Sequence, residues 1–124
     1  MPSLNFKARF APLVENQGKR QSIRRPRLRP IRPGDLLYLY TGMRTAACRR
    51  LGIGRCTETQ GIEIWADGIL LAGVALSPQD SLALAEADGF ASVAEFLDFF
   101  RSVHGLPFTG TLLRWEPLPA PRAP

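Results

Sequence analysis

Histidine occurs once in this chain, at His104, and cysteine twice, at Cys48 and Cys56. Three such side chains cannot complete a four-ligand structural zinc site without carboxylates, and a separation of eight residues fits neither a CxxC redox pair nor a zinc knuckle. Both cysteines are therefore expected as reduced thiols, and no metal or other cofactor is implied. Long apolar runs are missing as well. The longest, Ile69 to Leu76, has eight residues, against about 20 for a membrane-spanning helix. The opening MPSLNFKARF has no apolar signal core, so a cytoplasmic protein without membrane attachment is expected. With 124 residues and 45% hydrophobic content, the chain suits one domain with one core. That domain is placed at 1–116, and the proline-rich stretch 117–124 is expected to be a disordered or polyproline-like tail.

Acid is scarce in the first half. Residues 1–55 hold 13 basic and 2 acidic side chains, whereas residues 56–124 hold 3 and 9. Seven of the cations fall between Lys19 and Arg32 with no carboxylate among them. Such a segment attracts polyanions through Coulomb forces and counterion release, which makes RNA or a nucleotide the leading partner class. Two other readings stand beside it: a solvated loop that neutralises the acidic half of the same molecule, and a docking loop for an acidic protein.

The order of elements follows from periodicity and punctuation. Leu4-Asn5-Phe6 reads as a short strand and Ala8 to Asn16 as a brief helix ended by Gly18. Lys19 to Arg24 is compatible with an extended chain. Pro26, Pro30 and Pro33 make 25–34 an irregular loop, which excludes a basic recognition helix. Asp35 to Tyr40 predicts a buried strand, and extended segments follow over about 46–59, at Ile62 and Ile64, and over 69–74 after an Ala66-Asp67-Gly68 turn. Ser77-Pro78 opens a helix that stops near Gly89. Ser92 and Glu95 form a capping box ahead of a second helix whose apolar face is Val93, Phe96, Leu97, Phe100 and Val103. Thr111 to Trp115 supplies a last strand. The pattern predicts an α+β domain built on a partly closed β-barrel, with one N-terminal helix and two late helices.

Gly18-Lys19-Arg20-Gln21-Ser22-Ile23-Arg24, followed by Pro33-Gly34-Asp35-Leu36-Leu37-Tyr38-Leu39-Tyr40, resembles the opening of the ASCH domain, a member of the PUA-like superfamily. In that family a G-K-x-x-T/S-I-R segment precedes a G-D-x-L strand. Ala87-Asp88-Gly89-Phe90 with Ser92, Glu95 and Phe96, and the closing Leu112-Leu113-Arg114-Trp115, also stand where the family has its acidic-Gly-Phe junction and last strand. The stretch Tyr40 to Thr45 is similar to a bacterial and phage-type subgroup. The resemblance covers almost the whole chain and implies a PUA-like fold with an RNA- or nucleotide-binding role. Some relatives hydrolyse N4-acetylcytidine with a Lys, a Thr and a Glu. Carried over, these fall on Lys19, on Ser22, which keeps the hydroxyl, and on Asp88, one methylene shorter, with Glu86 as the competing position.

Two roles are open for that trio. Neighbouring cations at Arg20, Arg24 and Arg25 would disfavour protonated Lys19, leaving an amine able to activate Ser22, with Arg24 or backbone N–H groups holding an oxyanion. An amidohydrolase of modified nucleosides, or a ribonuclease, would follow. Otherwise Lys19 and Arg24 are phosphate clamps and Ser22 a strand hydroxyl. The predicted nucleic-acid contacts are Lys19, Arg20, Arg24, Arg25, Arg27, Arg29, Arg32, Arg44 and Tyr40, the last at a strand end facing the cleft with Tyr38 on the same face. Tyr38, Tyr40 and Trp65 are the aromatics available to stack on a base. His104 is read as a helix C-cap in preference to a triad member, and Gly52-Ile53-Gly54 as a turn.

Overall fold

The computed structural model describes residues 2–119. Their order is β1 (Ser3–Phe6), α1 (Ala11–Glu15), β2 (Gln21–Arg24), β3 (Leu36–Thr41), β4 (Arg49–Trp65), β5 (Gly68–Leu71), β6 (Val74–Ala75), α2 (Pro78–Ala87), α3 (Val93–Val103) and β7 (Phe108–Leu118). The strands form one seven-stranded sheet. Only β1 and β3 run parallel; the other pairs are antiparallel.

The long strand β4 organises this mixed α and β fold. Its first half pairs with β3, its last residues pair with β5, and β7 lies along Ile53 to Ile64 with a bulge between Cys56 and Glu58. Strand β7 in turn carries β2. A ring β1-β3-β4-β7-β2 therefore forms, but β1 and β2 share no ladder, and the sheet is not closed into a barrel. The expected mixture of strands and three helices is present, with the sheet left open at one seam. Both terminal strands have four residues, and Pro26 removes a backbone donor just past β2. The seam that results is where the cleft lies.

The helix ends follow their capping chemistry. The Ser77 hydroxyl accepts from the Asp80 N–H at the start of α2, and Ser92 accepts from the Glu95 N–H at the start of α3. Glu95 completes its side of the cap by accepting from the Ala91 N–H and from Arg9. One side of α3 buries Phe96 and Phe100, which join Phe10, Phe90, Phe99 and Phe108 in a chain of mostly edge-to-face contacts with centroids 4.8–5.6 Å apart. Val103, expected on that face, is 43% exposed because it lines a cleft instead of the core.

Several expected boundaries shift. The 46–59 and Ile62–Ile64 segments are one strand, and the predicted 69–74 strand is a hairpin, since Ala72 and Gly73 both turn to positive φ. The Gly52-Ile53-Gly54 stretch is strand rather than turn. At Gly54 the Trp115 ring lies so close that a Cβ would come within 2.6 Å of it, so the glycine serves close packing. Strand β7 runs past 116, pairing Pro117 with Gly54 and Leu118 with Ile53. Beyond Trp115, whose N–H still donates to the Arg20 carbonyl, it pairs with β4 alone, a position in a sheet that accepts proline. The remainder of the predicted tail, 120–124, lies outside the described residues.

Candidate functional site: a cationic cleft at the open seam

A cleft of about 400 Å³ opens where β1 and β2 fail to meet. Asn5 to Lys7 form one bank and Lys19 with Ser22 to Arg25 the other, while Phe10, Phe99, Phe100, Val103 and His104 make the wall and Asp88 lies at its inner end. Four cations thus line it against one carboxylate.

Lys19 and Asp88 are the buried members. Lys19 is held just ahead of β2 by its N–H, which donates to the Leu13 carbonyl. Asp88 is the C-cap of α2, followed by Gly89 at φ 100°, the left-handed residue that ends a helix at low cost. The Lys19 Nζ donates to Asp88 Oδ1 at 2.9 Å and to the Asp88 carbonyl at 2.7 Å, with side chains only 5% and 7% exposed. Gln21 Nε2 adds bonds to Asp88 Oδ1 and to the Leu84 carbonyl, both 3.2 Å. The ammonium thereby caps the C-terminus of α2 from a distant segment, a favourable place for a cation. Burial is the main force lowering the Lys19 pKa; Asp88 opposes it and Arg24 adds a smaller push downward. The cationic neighbours invoked from sequence are the minor cause.

Ser22 is buried, and its Oγ accepts from Arg24 Nε at 2.6 Å. Among the described residues no hydrogen bond joins Ser22 to Lys19. Arg24 also donates through Nη2 to the Asn5 carbonyl and lies 4.8 Å from the Phe6 ring centroid, so one guanidinium spans the seam between β2 and β1. Burial lowers its pKa to about 10, with Asp88 resisting and Arg27 assisting. It stays charged at neutral pH and keeps donors beyond the two bonds it makes inside the protein.

His104 caps α3, as the sequence indicated, and lines the same cleft. Its Nδ1 accepts from Arg25 Nε at 3.3 Å, which requires an unprotonated Nδ1 and leaves the proton of the neutral ring on Nε2. Its Nδ1 is thus taken by Arg25, while the Ser22 hydroxyl is bonded to Arg24. Burial lowers the His104 pKa, with further lowering from Arg25, Lys7 and Arg24. The unfolded chain, whose histidine titrates near 6.5, then binds more protons than the folded chain between the lowered value and that point. Stability from this group is complete above about pH 6.5 and is lost as pH falls through the window. His104→Asn should flatten that acid limb of a thermal-melt series while changing the melting point little at pH 8.

The remaining predicted contacts divide. Arg20 is exposed, with its Nε bonded to the Gln17 carbonyl. Arg25, Arg27, Arg29 and Arg32 are exposed along the loop after β2, which is pinned by buried Ile31 and by the Arg32 N–H donating to Asp35 Oδ2. Arg44 is exposed at φ 66° in the loop between β3 and β4. Glu86 is exposed, so of the two candidate acids only Asp88 is in the cleft. Tyr40 and Tyr38 do not face the cleft, against expectation. Leu37 and Leu39 take the buried face of β3, which turns both tyrosines to the other side of the sheet. Trp65 stands half-exposed at the end of β4.

Sequence reasoning missed the aromatic wall and the Arg25–His104 bond, both made by residues far apart in the chain. It also missed Gln21, whose presence as a polar group between Arg20 and Ser22 gave no sign of its partner. Among the described residues no group of three His, Cys, Asp or Glu side chains is placed to hold a metal ion. No helix there is long and apolar enough to cross a membrane. Set against known proteins, the chain matches no family model, no curated protein and no solved structure.

Proposed function

We propose that this chain is an RNA- or nucleotide-binding module of the ASCH type, within the PUA-like superfamily, acting in the cytoplasm. Its basic segment 19–32 holds phosphates and the seam cleft receives a base or nucleotide. The observation that carries the reading is the cleft's composition: Lys7, Arg24 and Arg25 line it together with Phe6, Phe10, Phe99 and Phe100, charge for a phosphate beside apolar surface for a ring. The exposed arginines of the following loop extend that positive surface.

Arg25→Ala/Arg27→Ala/Arg29→Ala tests it. Single-stranded RNA binding should weaken roughly tenfold at physiological salt, about equally for unrelated sequences, and the slope of log affinity against log salt should fall by about 2, at about 0.7 per phosphate contact. Unchanged affinity and slope in filter binding would leave the loop a solvated face.

A second reading, an amidohydrolase of N4-acetylcytidine-type nucleosides, draws on one observation: Lys19, Ser22 and Asp88 all line this cleft. Against it, the Lys19 ammonium is already bonded twice to Asp88.

A further inference from the structure

The alternation that buries Leu37 and Leu39 leaves Leu36, Tyr38 and Tyr40 partly exposed on the opposite face of β3. The β4 register sets Arg55, Ile53 and Arg50 directly beside them in that order, and the β1 register sets Ser3 beside Tyr38 and Asn5 beside Tyr40. Arg50 and Arg55 are exposed. Beyond them, β7 adds Leu118 opposite Ile53 and Glu116 opposite Arg55, the one carboxylate in these rows. Two phenol rings at alternate positions of an interior strand, about 7 Å apart, are thus flanked by guanidinium groups on the neighbouring strand.

We propose that this outer face is a second nucleic-acid surface, a platform on which unpaired bases of single-stranded RNA stack on Tyr38 and Tyr40 while their phosphates meet Arg50 and Arg55. The chemistry is that of sheet-borne stacking sites, in which aromatic faces accept any base and nearby cations follow the backbone. The inference rests on the RNA-binding reading above and adds to it a surface outside the cleft. Asn5 joins the two regions. Its carbonyl takes Arg24 on the cleft side, its Oδ1 accepts the Met43 N–H, and its backbone pairs with Tyr40. A strand leaving the cleft over the short edge β1 would arrive at the tyrosines.

The test compares wild type, Tyr38→Phe/Tyr40→Phe and Tyr38→Thr/Tyr40→Thr for binding to an oligouridine carrying 2-aminopurine and to duplex RNA of similar length. Stacking predicts that the Phe pair binds like wild type. The Thr pair, which keeps strand propensity, should lose roughly 30-fold or more on the single strand and little on the duplex. Quenching of 2-aminopurine should be retained with Phe and lost with Thr. Equal single-strand affinity in all three proteins would overturn the platform, and if Arg25→Ala/Arg27→Ala/Arg29→Ala still weakens binding the cleft-and-loop reading survives alone. Absence of any single-strand binding by wild type would remove both. Should the Thr pair not fold, wild-type quenching decides: none on saturation refutes the platform, and quenching abolished by Arg50→Gln/Arg55→Gln supports it.

Discussion

Asp88→Ala should destabilise the folded chain by about 3–5 kcal/mol, the range for removing one partner of a buried ion pair. Lys19 would be left with its Nζ at the Asp88 backbone carbonyl, buried, with no counter-charge within bonding distance. Gln21 Nε2 would lose one of its two acceptors. Asp88→Asn, which returns an acceptor oxygen without the charge, should cost less. The double change Lys19→Met/Asp88→Leu should recover most of the loss, because removing both charges removes the desolvation cost that their attraction offsets. Urea denaturation midpoints of the four proteins provide the comparison. An Asp88→Ala protein as stable as wild type would mean that the pair is not buried in solution. The pH dependence has a fixed sign. Lys19 in the folded chain titrates below its ordinary 10.5, so between the lowered value and 10.5 the unfolded chain binds more protons. The stability contributed by this group therefore rises with pH across that window.

This pair also shows how far local reading reaches. The caps at Ser77 and Ser92 were legible because capping is decided within four residues, and the same holds for the proline-rich loop and for the existence of β3. The seam was not legible. Whether β1 and β2 pair depends on where β7 carries β2 around the sheet, which no window of sequence contains. The same limit explains Tyr40. Alternation in Leu36 to Thr41 separates two sets of side chains, but the sequence does not say which set meets the core when both are apolar or aromatic. Gly54 looked like a turn because its reason, the Trp115 ring on its surface, lies 61 residues away. In the site, Lys19, Ser22 and Asp88 were singled out together and do share a cleft. Their bonding differs from the expectation: Lys19 serves Asp88 and the end of α2, while Ser22 serves Arg24.

Arg24 is consequently the residue on which ligand binding should depend most. Its guanidinium is fixed by Ser22 Oγ, the Asn5 carbonyl and the Phe6 ring, and such a preorganised donor loses little freedom on meeting a phosphate. A hydrogen bond to a charged group is worth about 1.5–3 kcal/mol, so Arg24→Gln should weaken cytidine 5′-monophosphate binding about 10- to 150-fold by calorimetry. Arg24→Lys should recover part of this, through charge without the planar fork, and Arg20→Gln, outside the cleft, should change little. Uncharged cytidine should be nearly indifferent to all three. Ser22→Ala decides between binding and chemistry. It removes one acceptor for Arg24 and should reduce nucleotide affinity only a few-fold, with wild-type protein leaving N4-acetylcytidine intact. Release of acetate by wild type, abolished in Ser22→Ala with affinity retained, would reverse the assignment, because a hydroxyl needed only in the transition state is a nucleophile. Lys19→Arg sharpens the choice, since guanidinium keeps the positive charge toward Asp88 but cannot give up its proton to act as a base. Nucleotide affinity preserved in that variant belongs to a binding module; hydrolysis present in wild type and lost in Lys19→Arg belongs to an amidohydrolase.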